Sequence, residues 1–321
     1  MRRRLLLPLV VAVLVTAPSA LADGGASAPG VQGGGGVLSP GGDVRYVAVG
    51  GQSDTVVEAI RVVDGAVLRW TARPGGWGIP SVAIDGSTGG VSRDGTALVL
   101  ATTTPGFPLR KRSSFEVLSA TNLRFLRRID LEGDFSYDAL SPDFSKLYLI
   151  QHVSRHDLNR YVVRAYDLDR KRLLPGRIAD RTQRGWVMAG WPLTRATSAD
   201  GRWVYTLYTR PDGYPFVHAL DTVRGVAHCV GIPWHGSQNA LWRLRMSLRD
   251  GGRTLSLRRR DGHEYLAVAR GTWRISHPGS ARVASSRSGF PWWILGGSGA
   301  VLLLLGTRRM RYGLRARAAT N

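Results

Sequence analysis

Two histidines, His152 and His156, stand four residues apart in QHVSRHDLNR. On a helix that spacing puts two imidazoles on one face, where they could hold a metal ion. The surrounding residues read as a loop, with no third ligand at a telling spacing, so no metal site is expected. Ser237 lies two residues from His235, but GIPWHGSQN lacks the G-x-S-x-G frame that presents a nucleophilic serine. Paired carboxylates could cleave a glycosidic bond by acid–base chemistry, and Asp134, Asp138, Asp157 and Asp180 are available. Nothing in their spacing brings them together. Cys229, the single cysteine, is flanked by apolar residues in VRGVAHCVGI and suits a buried structural thiol. No catalytic residue is assigned, and no cofactor is expected.

A second set suits recognition better than catalysis. Aromatic residues recur at Trp77, Phe135, Trp186 and Trp234, and cations cluster at Arg110, Lys111, Arg112, Arg155 and Arg160. Aromatic rings and cations on one surface would bind a polysaccharide, an acidic peptide or another anionic ligand. The candidate ligand-binding residues are therefore Trp77, Arg110, Lys111, Arg112, His152, His156, Trp186, Trp234 and His235. The competing structural reading makes the tryptophans wedges between packed sheets and leaves the cations solvated.

What must position these residues is an internal repeat. SRDGTALVLA from Ser92 recurs as SPDFSKLYLI from Ser141, SADGRWVYTLY from Ser198 and LRDGGRTLSL from Leu248, with a degenerate first copy, SPGGDVRYVAVG, from Ser39. The aspartates Asp94, Asp143, Asp200 and Asp250 are 49, 57 and 50 residues apart. An aspartate in a four-residue turn ordinarily bonds its own backbone, so these are read as structural. The apolar run after each turn suits a strand, and a hairpin follows each, as in VEAIRVVDGAVLRW and YVVRAYDLDRKRLL. Ahead of the aspartates lie further strand candidates: IPSVAID, SYDAL, VMAGWPL and ALWRLRM. Four strands in a repeat of about 40 to 50 residues is the formula of a propeller blade.

Residues 39–277 resemble the bacterial β-propellers of the WD-repeat or YVTN type, whose blades carry an S-P-D-G turn before an apolar strand. The resemblance implies an all-β propeller of about five four-stranded blades, with six or seven commoner in the family, and is nearly silent on function. Phe144 replaces the turn glycine in one copy. The first copy lacks a clear innermost strand, which either 36–38 or 281–285 is expected to supply. Similar five-bladed glycosidases direct carboxylates into the central channel, which keeps a carbohydrate-active hydrolase or lyase as the alternative function. In such a ring the aspartate turns share a quiet face with the outer hairpin turns, and the long loops bearing the aromatics and cations share the opposite one.

The ends of the chain set its location. MRRRLLLPLVVAVLVTAPSALADG has a basic start, an apolar core and a small-x-small cleavage site, which reads as a signal peptide over 1–22. Residues 290–307 carry no charge and are followed by five arginines, the pattern of a single transmembrane helix with a cytoplasmic tail over 308–321. A Gly-rich linker is assigned to 23–38, the propeller to 39–278 and a second linker to 279–289. The formal charge is +21, and setting aside eight terminal arginines leaves 36 basic against 23 acidic residues. Outside a cell membrane this excess does not point to nucleic acid. The expectation is a single-pass membrane protein with its propeller outside, binding a protein or polysaccharide. An accessory subunit of an envelope complex is a further possibility, and the oligomeric state is left open.

Overall fold

The computed structural model describes residues 35–278, apart from 104–108, 158, 181, 183–186 and 211–212. The assigned signal peptide, transmembrane helix and tail lie outside the described residues, as does most of the first linker. Among the described residues no helix is long and apolar enough to cross a membrane.

The fold is all-β, with five antiparallel four-stranded sheets following one another along the chain, an arrangement consistent with a propeller. Blade 1 is β1 (Val37–Leu38), β2 (Val44–Gly50), β3 (Asp54–Arg61) and β4 (Val67–Pro74); blade 2 is β5 (Trp77–Gly78), β6 (Ala97–Thr102), β7 (Arg112–Ser119) and β8 (Phe125–Glu132). Blade 3 is β9 (Phe135–Leu140), β10 (Lys146–His152), β11 (Arg160–Asp167) and β12 (Arg172–Leu173), with a short β13 (Met188–Ala189) added beside β11. Blade 4 is β14 (Pro192–Thr197), β15 (Trp203–Tyr208), β16 (Phe216–Asp221) and β17 (Val226–Gly231); blade 5 is β18 (Arg245–Arg249), β19 (Thr254–Arg258), β20 (Glu264–Ala269) and β21 (Ile275–Ser276). The repeat thus predicts five of five sheets, and β1 supplies the missing strand of the first blade, inside the stretch assigned as linker.

The repeated aspartate acts within its own turn. Asp94, Asp143 and Asp200 each accept a hydrogen bond from the serine two residues earlier (2.6, 2.6 and 2.5 Å) and from the backbone N–H two residues later. The same serine oxygens accept from the N–H that starts the next strand, at Ala97, Lys146 and Trp203. In the first copy Asp43 takes over, accepting from Ser39 at 2.7 Å. The turn needs a residue at positive φ, supplied by Gly95 and Gly201 and, at 57°, by Phe144. Asp250 follows an arginine and a leucine instead of a serine, and itself adopts φ 55°.

Each aspartate turn is clipped to the outer hairpin turn of its own blade. Val62, Ala120, Leu168, Thr222 and Arg270 donate their N–H groups to the carbonyls of Asp43, Thr96, Ser145, Arg202 and Arg253, one clip per blade. Both kinds of turn therefore lie at one end of the sheets, as the strand order requires.

Consecutive blades pack face to face through apolar clusters. Tyr46, Val57 and Ala59 meet Ile79, Leu98 and Leu118 between blades 1 and 2; Val117, Phe115 and Ile129 meet Phe135 and Leu149 between blades 2 and 3. Tyr148 and Ala165 meet Val204 and Leu220 between blades 3 and 4, and Leu207 and Val217 meet Leu255 and Leu266 between blades 4 and 5. A recurrent polar tie accompanies them: Tyr46 donates to the carbonyl of Ala120 at 3.1 Å, and Tyr148 to that of Thr222 at 2.6 Å.

The strand expected from Ile79 does not form. Residues 79–90 leave blade 2, fold back on themselves through a bridge between Ser81 and Thr88, and run through the middle of the domain. Ile84 and Asp85 donate N–H groups to the carbonyls of Pro192 and Leu193 in blade 4 (2.9 and 3.1 Å), and Thr88 Oγ1 donates to the carbonyl of Gly36 in blade 1. Gly89 lies so close to Tyr137 of blade 3 that a Cβ there would sit 2.5 Å from the ring. One segment reaches blades 1, 3 and 4 from blade 2 only by lying on their shared axis. VMAGWPL and ALWRLRM are also partly displaced: β14 starts at Pro192, and the second begins in a short helix, α1 (Gln238–Leu241), before β18.

The Ser198 hydroxyl beside Asp200 holds its carboxyl below the ordinary value, with the N–H of Arg202 helping against the opposing effect of burial. Its contribution is complete above the unfolded value of about 3.9 and is lost as pH falls through the lower folded value. Ser198→Ala is expected to lower stability by about 1–2 kcal/mol at neutral pH, with the difference from wild type shrinking below about pH 4; urea midpoints measured across pH test this. Arg195 of β14 donates to both the carboxylate and the main-chain carbonyl of Asp138 on β9, and both side chains are buried. Arg195→Met alone strands a buried carboxylate and is expected to cost about 3–5 kcal/mol, most of it recovered in Arg195→Met with Asp138→Leu.

Candidate functional site

The axis is the first place to look for chemistry, and it is filled. Residues 79–83 are buried there, and next to them the Arg195–Asp138 pair is held by a further bond from Arg195 Nε to Thr206 Oγ1 at 3.1 Å. The four carboxylates open to catalytic use are engaged separately. Asp134 is buried under a fork from Arg110, with Nε at 2.8 Å; Asp138 is held by Arg195. Asp180 accepts from the N–H of Cys229 at 2.8 Å, from Thr182, and faces His228 at 2.9 Å. Asp157 caps the N–H of Asn159 in a loop.

Across blade 4, Arg195, Thr206, His218 and Cys229 stand opposite one another on successive strands. Cys229 Sγ is 3.6 Å from His218 Nδ1, a juxtaposition that in another setting would activate a thiolate. Here burial, with the Asp180 carboxylate beside it, pushes the thiol up to about 12, and burial pushes the His218 imidazole down to about 4. Both groups are neutral at pH 7, so the pair is an inert seam between blades 3 and 4. Among the described residues no three His, Cys, Asp or Glu side chains are grouped as a metal site.

A recess of about 490 Å³ opens at the aspartate-turn end, lined by Pro40, Arg93, Ala199 and Gly201 of the turns and by Asp138 and Arg195 at depth. This end was expected to be featureless.

The loop end divides the predicted ligand residues. Trp77 is buried between blades 1 and 2, bonded through Nε1 to the carbonyl of Pro74 at 2.8 Å, and Trp234 is buried between blades 4 and 5 against Tyr265, ring centroids 5.0 Å apart. Both act as the wedges of the structural reading. Arg110 is consumed by Asp134, and His152, half-buried at the end of β10, donates its backbone N–H to the main-chain carbonyl of the same aspartate at 2.9 Å. Lys111, Arg112, His156 and His235 are exposed. Trp186 lies outside the described residues. The structure therefore gathers Arg110 and His152 around Asp134 and leaves Trp77 and Trp234 in two separate interfaces.

Sequence reading missed a partner of His235 and an exposed aromatic residue farther along its connection. Tyr214, 57% exposed, makes an edge contact with His235 at 6.3 Å between ring centroids. Trp242 is exposed at the end of α1, in the same blade-to-blade connection as His235, and is followed by the exposed Arg243 and Arg245. Ser237 caps that helix by accepting from the N–H of Ala240, and Leu241 and Leu244 are buried beneath it. The apolar side of the connection is thus anchored and its aromatic and cationic side faces solvent. The signal was present in ALWRLRM, where Trp242 and Arg243 interrupt the alternation expected of a strand.

Solved structures similar to this chain include the hydrazine synthase of Kuenenia stuttgartiensis (15% identity, TM-score 0.44, covering 72% of this chain and 63% of that one). TolB from Acinetobacter baumannii matches at 12% identity and a TM-score of 0.42, over 74% of this chain and 54% of that one. The Cps50 (Swd1) beta-propeller domain of Myceliophteria thermophila matches at 10% identity and 0.43, over 75% and 69%. The chain thus spans less than two thirds of the length of the first two. No protein-family model and no curated protein matches it.

Proposed function

We propose that this chain is a binding module, a five-bladed all-β domain held outside the cell by a C-terminal membrane helix, which takes an anionic or glycan ligand at the loop end of blades 4 and 5. The observations that carry this reading are the exposed Tyr214–His235 ring contact and, farther along the connection that holds His235, the exposed Trp242 followed by Arg243 and Arg245. Solvent-facing rings supply flat apolar contact for sugar faces, and the guanidinium groups supply charge-assisted donors to carboxylate or sulfate. Binding is favoured over glycoside hydrolysis because Asp134, Asp138 and Asp180 are each buried and tied to a separate partner, where hydrolysis needs two carboxyl groups facing one bond.

Acidic polysaccharides and neutral glycans arrayed against the full chain in detergent provide the test. Trp242→Ala and Tyr214→Ala are each expected to weaken the best hit about tenfold, while Lys111→Ala leaves it unchanged. Binding that survives both aromatic substitutions removes this surface from consideration, and turnover of any bound glycan would favour the hydrolase. The location is tested separately. Deleting 290–321 is expected to move the chain from the membrane fraction to the soluble fraction, and unchanged membrane retention would refute the anchor.

A further inference from the structure

Among the described residues the five blades form four apolar interfaces, which leaves one face of blade 1 and one face of blade 5 without a neighbouring blade in the core clusters. The two faces differ in chemistry. On blade 5, cross-strand pairing brings Arg245 opposite Arg258, itself opposite Glu264, and Ser247 opposite Ser256. Glu264 accepts from Ser256 at 2.5 Å and from Arg249 at 3.0 Å, so the polar groups of this face are bonded to one another, and Ser256 and Ala267 on it are buried. On blade 1, Val49 stands opposite Val56, Val47 opposite Glu58 opposite Trp70, and Arg45 opposite Ile60. Trp70 is 65% exposed and Val49 56%. Exposed apolar side chains gathered on one sheet face are a surface that a partner can cover.

We propose that the open face of blade 1 is the contact between two copies of this chain. The apolar character matches the faces that join consecutive blades within the molecule, so a second blade 1 reproduces the same sheet-on-sheet chemistry. Blade 5 of a second copy is a poorer occupant, because covering Trp70 with its face would desolvate Arg245 and Arg258. Among the described residues the face carries Arg45 and the carboxylates Asp54 and Glu58; Arg45, which also donates to the carbonyl of Gly35 at 2.9 Å, and Glu58 are diagonal neighbours on adjacent strands. A two-fold axis in the plane between two such faces, set midway between these residues, brings Arg45 of each copy over Glu58 of the other. The surface is then complementary to itself, as an isologous contact requires. The flat area is small, roughly 350 Å² from four strands about 4.8 Å apart, against about 800 Å² per partner in a stable complex. The dimer is accordingly weak in dilute solution and is favoured by confinement.

Sedimentation of the full chain in detergent micelles, at increasing protein-to-micelle ratio, measures the dimer. Trp70→Glu is expected to abolish it. Arg45→Glu and Glu58→Arg are each expected to weaken it at least about tenfold by setting like charges opposite, and the double exchange to restore it. Thermal midpoints of all four variants confirm that they fold. A wild-type chain that stays monomeric throughout overturns the proposal and leaves the face to a different protein. So does a dimer that survives Trp70→Glu, and so do charge variants whose effects simply add.

Discussion

The constraint on which everything else depends is that each four-stranded sheet is too thin to bury its own apolar side chains. Strands such as ALVLAT in β6 and KLYLIQH in β10 are apolar on both faces, and each face is dried only when another sheet covers it. Blades 2, 3 and 4 are covered on both sides, and their second and third strands are almost wholly buried. Blade 1 is covered on one side only, and β3 accordingly alternates buried and half-buried residues. Stability is therefore distributed over successive interfaces, with no disulfide to supplement it, and the outermost sheets report by their exposure where the series of interfaces stops.

Within that series the Ser–Asp turn keeps the strands in register. The serine hydroxyl both donates to the aspartate and accepts from the first N–H of the next strand, so the turn's geometry and the strand's starting point are coupled in three residues. Phe144 can replace glycine at positive φ because its neighbours still make every one of these bonds and its ring packs against the blade 2–3 cluster. The clip from the outer hairpin to the aspartate turn then fixes both turns at one end, so that long insertions accumulate at the other.

Filling the axis changes what the molecule can do. Innermost strands leave backbone groups facing the centre, and residues 79–90 satisfy several of them while carrying apolar side chains into the space. The carboxylates nearest the axis are held in ion pairs whose purpose is to make burial tolerable. Exposed aromatic residues lie away from the axis, at Tyr214 and Trp242 at the loop end and at Trp70 on the outer face of blade 1.

The chain's own sequence determined the local units and their number. Period-two apolar runs, Asp-Gly and Ser-x-Asp turns, and their recurrence act over a few residues, which is why SYDAL, KLYLI and the five hairpins lie where the pattern puts them. It also showed that a tryptophan at a blade junction is large enough to serve as a wedge, which Trp77 and Trp234 do. Tertiary structure alone decided the rest. IPSVAID has the composition of a strand, yet its donors at Ile84 and Asp85 find partners in blade 4, far along the chain, and those long-range bonds outweigh local preference. Arg110 and Arg195 look like any surface arginine until folding brings Asp134 and Asp138 beside them. Exposure of Trp70 and Trp242 beside burial of Trp77 and Trp234 follows from which sheet covers which face, a property of the assembled series and of no single segment.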